Sequence, residues 1–166
     1  MSLNNITLPP NTICQLYTKV LVEAPTPVPT LQKQTDTNFV FLGKNKKHIT
    51  IAVNNPAVLH LPDDELSFLM GILAACKLTI EDVAILNLAK NNPCNYQDIA
   101  TRLGAVQVLL FGIKPGNIDL PLDFPPYQVQ RYNQQGYLAA PALSLLQNDK
   151  AEKIKLWNSL KIMFSL

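Results

Sequence analysis

The side chains that could do acid–base or metal chemistry are few in this 166-residue chain. His48 and His60 are the two histidines, and neither belongs to an H-E-x-x-H pattern that would pair it with a second metal ligand. His60 stands between Leu59 and Leu61 just ahead of a helix and reads as a structural or surface residue. Asp63, Asp64 and Glu65 offer adjacent carboxylates for a metal or a general base. Neighbouring residues on a helix point in different directions, however, and the positive end of a helix dipole accounts for the charge there without chemistry. Glu81 and Asp82 read as solvation of a turn. Cys14, Cys76 and Cys94 are widely spaced with no C-x-x-C pair, which favours reduced core thiols over a disulfide framework or a zinc site. No G-x-S-x-G, P-loop or G-x-G-x-x-G occurs. The expectation is a protein without catalytic residues, metal or cofactor.

The elements that would position these groups follow from the pattern of apolar residues. Phe39–Leu42 and Ile49–Val53 are short β-prone runs flanking Gly43-Lys44-Asn45-Lys46-Lys47-His48, which predicts a hairpin with a polar tip. The tip lysines could touch phosphate, but no aromatic residue is interleaved with them as a stacking platform. With a net charge of only +2, the chain also has no broad field for gripping nucleic acid or an anionic membrane. Direct nucleic-acid binding is therefore not expected. Pro62 to Lys77 predicts a helix with Leu66, Leu69, Met70 and Leu73 as its apolar stripe, widened by Phe68 and Ile72, covered by its own sheet or by a partner. Val83–Leu88 and Val106–Phe111 predict buried strands, joined by a short helix that starts at an Asn95–Asp98 capping signal and ends at Gly104. That is a βαβ unit with parallel strands.

Four prolines keep residues 114–126 out of regular structure. Tyr127–Tyr132 predicts a further strand, interrupted at Asn133-Gln134-Gln135-Gly136. One helix starts at Pro141, and a second, capped by Asp149, carries Ile154, Trp157, Leu160 and Phe164 on one face. The fold class expected is α/β, a three-layer α/β/α sandwich around a central, mostly parallel sheet. Residues 39–166 would form this core. Residues 1–38, with a helix expected over Asn11–Val20 and then Pro25, Pro27 and Pro29, read as an N-terminal arm. The opening residues show no charged leader and apolar core, and the most apolar run, Leu66 to Cys76, is far shorter than the roughly 20 residues of a membrane helix. A cytoplasmic protein without membrane contact is expected.

In open α/β sheets a ligand binds at the carboxyl ends of the strands. Here those ends offer Asn87, Lys90 and Asn91, then Gly112, Lys114 and Pro115. Asn87, Lys90, Asn91 and Lys114 are thus the candidate ligand pocket, suited to a nucleotide or nucleobase but lacking a phosphate cradle and a nucleophile–base pair.

The C-terminal stretch carries a more specific signal. Pro141-Ala142-Leu143, Leu146, Asp149, Lys153 and Leu156-Trp157 resemble the signature near the C-terminus of the psi subunit of bacterial DNA polymerase III. Ala140 stands where that family often has serine, and Lys150 where it often has proline. A fainter similarity runs from Phe39 through the Asn-Pro loop, the Leu-Pro-Asp-Asp helix start and Lys77-Leu78-Thr79. The resemblance implies a fold similar to uracil-DNA glycosylase without its activity. It also implies an adaptor role in DNA replication, bridging the clamp loader and a chi-like subunit that binds single-stranded-DNA-binding protein. The arm would reach the clamp loader, and the folded core would dock on chi.

Overall fold

Ile49-Thr50-Ile51-Ala52-Val53 has no charge and is rich in β-branched residues, a composition that calls for cover on both faces. In the computed structural model, which describes residues 39–166, this segment is strand β2 (Ile49–Val53), buried at every residue. It pairs in parallel with β3 (Val83–Asn87) on one side and with β4 (Gln107–Phe111) on the other. β4 pairs in parallel with β6 (Gln135–Ala140). Short antiparallel strands close both edges, β1 (Phe41–Leu42) against β3 and β5 (Val129–Tyr132) against β6. The order across the six strands is β1-β3-β2-β4-β6-β5.

Four helices join them: α1 (Asp63–Ala75), α2 (Tyr96–Leu103), α3 (Leu143–Asn148) and α4 (Lys150–Phe164). Because side chains alternate along a strand, the sheet presents two apolar faces. Ile51, Ile85, Leu109 and Leu138 on one face meet Leu69 and Leu73 of α1, Leu146 of α3 and Leu156 and Leu160 of α4. Ala84, Leu86, Leu110 and Tyr137 on the other meet Ile99 and Leu103 of α2. That second face is completed by Ile113, Ile118, Leu120 and Phe124, from the proline-rich connection between β4 and β5. The expected α/β class with a mostly parallel sheet is what the described residues form.

Local signals explain several boundaries. Asn95 accepts from the Asp98 amide while Asp98 accepts from the Asn95 amide, so α2 opens on a full capping box. It stops where Gly104 turns left-handed, with φ 57°. α1 begins after Pro62, with three carboxylates in its first turn. The connection after β4 contains one short 3-10 turn, Pro115–Ile118.

Three expectations are corrected. The predicted hairpin does not form, because β3 lies between β1 and β2. Amides of Asn45, Lys46 and Lys47 bond the carbonyls of Val83, Glu81 and Asp82 instead of each other's strand. β2 needs a long apolar neighbour on both sides, which two-residue β1 cannot supply. Second, the predicted interruption at 133–136 is a two-residue turn, with φ 48° at Asn133 and 63° at Gln134. The chain then resumes as β6, which is buried throughout. Third, the buried face of α4 is Leu156, Ser159, Leu160 and Met163. Ile154 is 61% exposed, and on α1 Met70 is 48% exposed. The arm, its expected Asn11–Val20 helix and its proline-rich connection lie outside the described residues. Among the described residues no helix is long and apolar enough to cross a membrane.

Candidate functional site

The residues of the C-terminal signature build a helical corner and open onto a groove. Pro141 leads in, and Ala142 is the extended residue that precedes α3. Leu143 and Leu146 are fully buried against the sheet. Asp149 caps α4 by accepting from the amides of Ala151 at 2.8 Å and Glu152 at 3.3 Å. The Lys153 ammonium donates to the Gln147 carbonyl at 2.9 Å and lies 5.2 Å from the centre of the Phe68 ring on α1. Gln147 in turn donates to the Asp64 carbonyl at 2.8 Å, tying α3 to the start of α1. Leu156 is buried and Trp157 half-buried.

Between α1 and α4 runs an apolar groove of about 440 Å³. Small residues on α1, Ser67, Gly71 and Ala75, recur every fourth position along it, and Phe68 and Trp157 supply its bulk. Lys153 is the one charged residue of its lining. From Leu66 to Cys76 the helix carries no charge at all, although Ser67, Met70, Gly71, Ala74 and Ala75 are exposed. A charge-free exposed helix face is unusual for a solvated surface. A Cβ on Gly71 would meet nothing within 4 Å.

On its far side α4 is fixed to the β5 segment. Tyr127 donates its hydroxyl to the Glu152 carboxylate, and Ser159 donates to the Tyr127 carbonyl at 2.6 Å. Burial first, and then the Glu152 carboxylate, push the Tyr127 phenol well above its ordinary range. α4 is thus held from the sheet side while its α1-facing edge stays open.

The four strand-end candidates are not brought together. Asn87 is fully buried. Its carboxamide accepts from the amides of Asn55 and Ala89 and donates to the carbonyls of Asn55 and Val58. Asn91 bonds both the amide and the carbonyl of Val40, which pins the residues before β1. Lys90 donates to the Pro56 carbonyl at 2.8 Å. These three groups hold loops. Lys114 lines a separate cleft of about 830 Å³ beyond β4 and β6, with Asp123 and Phe124.

The remaining ionisable candidates have partners or structural places. Lys44 and Lys46 both bond Glu81, and Lys47 lies 3.8 Å from Asp82. Hydrogen bonds from the two lysines hold the Glu81 carboxyl down at about 2. His48 takes a left-handed backbone, φ 56°, and its carbonyl accepts from Val106 at 2.8 Å. His60 is partly buried, its Nδ1 without a bond among the described residues. Burial and then Asp98 push the Cys94 thiol up to about 12, and burial raises Cys76, so both stay protonated at neutral pH. No cluster of three metal-ligating side chains occurs among the described residues.

The groove is what sequence reasoning missed. Its signal was present in Ser67, Gly71 and Ala75, spaced four apart inside a charge-free run. No protein-family model matches the sequence, and no curated protein matches it.

Proposed function

We propose that this chain is a non-enzymatic adaptor of the DNA polymerase III psi type, with a three-layer fold similar to uracil-DNA glycosylase, working in cytoplasmic DNA replication. Its core docks a helix of a chi-like subunit in the α1–α4 groove, and residues 1–38 engage the clamp loader. The observation that carries this reading is that three signature residues, Lys153, Leu156 and Trp157, line the groove. Ser67, Gly71 and Ala75 leave room for a partner helix to lie close against α1. Lys153, the lone charge at the rim, selects a carboxylate on that helix. Two attachment points on one small protein raise the effective concentration of machines that bind weakly apart.

Mixing the purified full chain with a chi-like subunit and with clamp-loader subunits tests it by size-exclusion chromatography. The expected outcome is co-elution with both, and loss of the clamp loader alone when residues 1–38 are deleted. Absence of both complexes contradicts the reading. A ligand-binding domain or enzyme is the second reading, favoured by the clefts at the strand ends. Stabilisation by a nucleotide that disappears in Lys114→Ala would promote it.

A further inference from the structure

The chain leaves β2 for β3 by way of α1 and returns past β2 to β4 by way of α2, and the two helices pack on opposite faces. The sheet therefore has a topological switch point between β2 and β4, where doubly wound sheets hold their ligands. A notch of about 140 Å³ lies there, its wall drawn from the loops that follow β2, β3 and β4.

The asparagines of the described residues differ in what their carboxamides bond. Asn45, Asn55, Asn87, Asn91, Asn95 and Asn148 all spend their carboxamides on hydrogen bonds within the fold. Asn133 and Asn158, which lie elsewhere, make none with described residues, and neither do Asn54, Asn92 and Asn117, all three of which line the notch. They come from three different loops, so local turn formation does not account for their meeting. Leu88 and Ile113 add apolar surface beside them, and no charged residue lines the notch.

We infer that this notch binds a small neutral ring bearing an amide, a lactam or aromatic carboxamide, independently of the adaptor role. Each asparagine offers both a donor and an acceptor, the pairing an amide requires. The uncharged wall gives an anion no counter-charge and so disfavours a phosphate or carboxylate ligand. The volume is well below the ~300–1,000 Å³ of drug-sized sites, so a single ring fits and a nucleotide does not. Cys94 also lines the notch, but its thiol is held protonated, which makes this a binding site with no nucleophile.

Nicotinamide and nicotinate, nearly equal in shape but different in charge, are the probes. The full chain, labelled with nitrogen-15, is titrated with each while the side-chain NH2 resonances are followed. The expected result is saturable movement of the Asn54, Asn92 and Asn117 signals with nicotinamide and none with nicotinate. Asn117→Asp, at an exposed position, should keep the melting temperature and weaken nicotinamide by about fivefold or more. Equal response to nicotinate, movement confined to the Lys114 cleft, an unchanged affinity in Asn117→Asp, or no saturable movement would each overturn the inference.

Discussion

Replacing Asn87 by alanine removes five hydrogen bonds from a fully buried side chain. Two are accepted from the amides of Asn55 and Ala89, and three are donated, to the carbonyls of Asn55, Val58 and Leu59 at 2.6, 2.8 and 3.3 Å. Each such bond contributes about 1 kcal/mol net, and a group left dry costs more. The 54–59 loop is partly exposed, so some of its freed groups regain water, and the expected loss is about 3 kcal/mol. That is a large share of the roughly 5–15 kcal/mol that holds a domain folded. Asn87→Asp tests the donor half alone, since a carboxylate accepts the two amides but faces three carbonyls without a proton to give. Its folded-state pKa is raised above the usual ~3.9, so the variant is best tolerated below that value and loses stability as pH rises through the folded value. Urea titrations of wild type and both variants between about pH 4 and 7 measure this. A loss under about 1 kcal/mol for Asn87→Ala, or an Asn87→Asp curve parallel to wild type across that range, would refute the reasoning.

Other outcomes follow from single contacts. Asp149→Ala removes both N-cap hydrogen bonds of α4 and should cost about 1 kcal/mol, most of it recovered in Asp149→Ser, as read by thermal melts. Gly43→Ala would set a Cβ 2.2 Å from the Val83 carbonyl oxygen at φ 112° and should destabilise by more than about 2 kcal/mol. Gly71→Ala, in mid-helix with open space around it, should stabilise by about 0.5–1 kcal/mol in the same denaturation assay. Glu81 is more acidic folded than its ordinary 4.5, so its contribution is present above that pH and fades as pH falls toward about 2. Glu81→Gln should flatten the stability–pH curve in that window, and added salt should mimic part of the change.

Much of this fold could be read from residue order because local and tertiary demands agree. Asn95, Asp98 and Gly104 mark both ends of α2, and the apolar runs at β3 and β4 have no place other than a buried sheet. The reading failed where a non-local choice decided the outcome. Nothing near β1 and β2 reports that β3 will insert between them, since that depends on which neighbour best covers β2. β6 was obscured by Gly136, Ala139 and Ala140, residues of low β-propensity that its central position tolerates. Asn87 and Asn91 stand at and just after the end of β3, yet chemistry needs free groups. Asn87 and Asn91 are occupied by backbone, whereas Asn54, Asn92 and Asn117 remain uncommitted, a distinction visible only once the loops are placed.

The claim that the α1–α4 groove receives a partner helix is tested most directly at Gly71, whose exposed position separates binding from folding. Gly71→Gln should fold as well as wild type, because its side chain enters open groove space. By calorimetry against a purified chi-like subunit, wild type should bind, and Gly71→Gln should lose at least about tenfold in affinity, roughly 1.4 kcal/mol. Equal affinity for wild type and Gly71→Gln, with the variant melting no lower than wild type, would contradict the account.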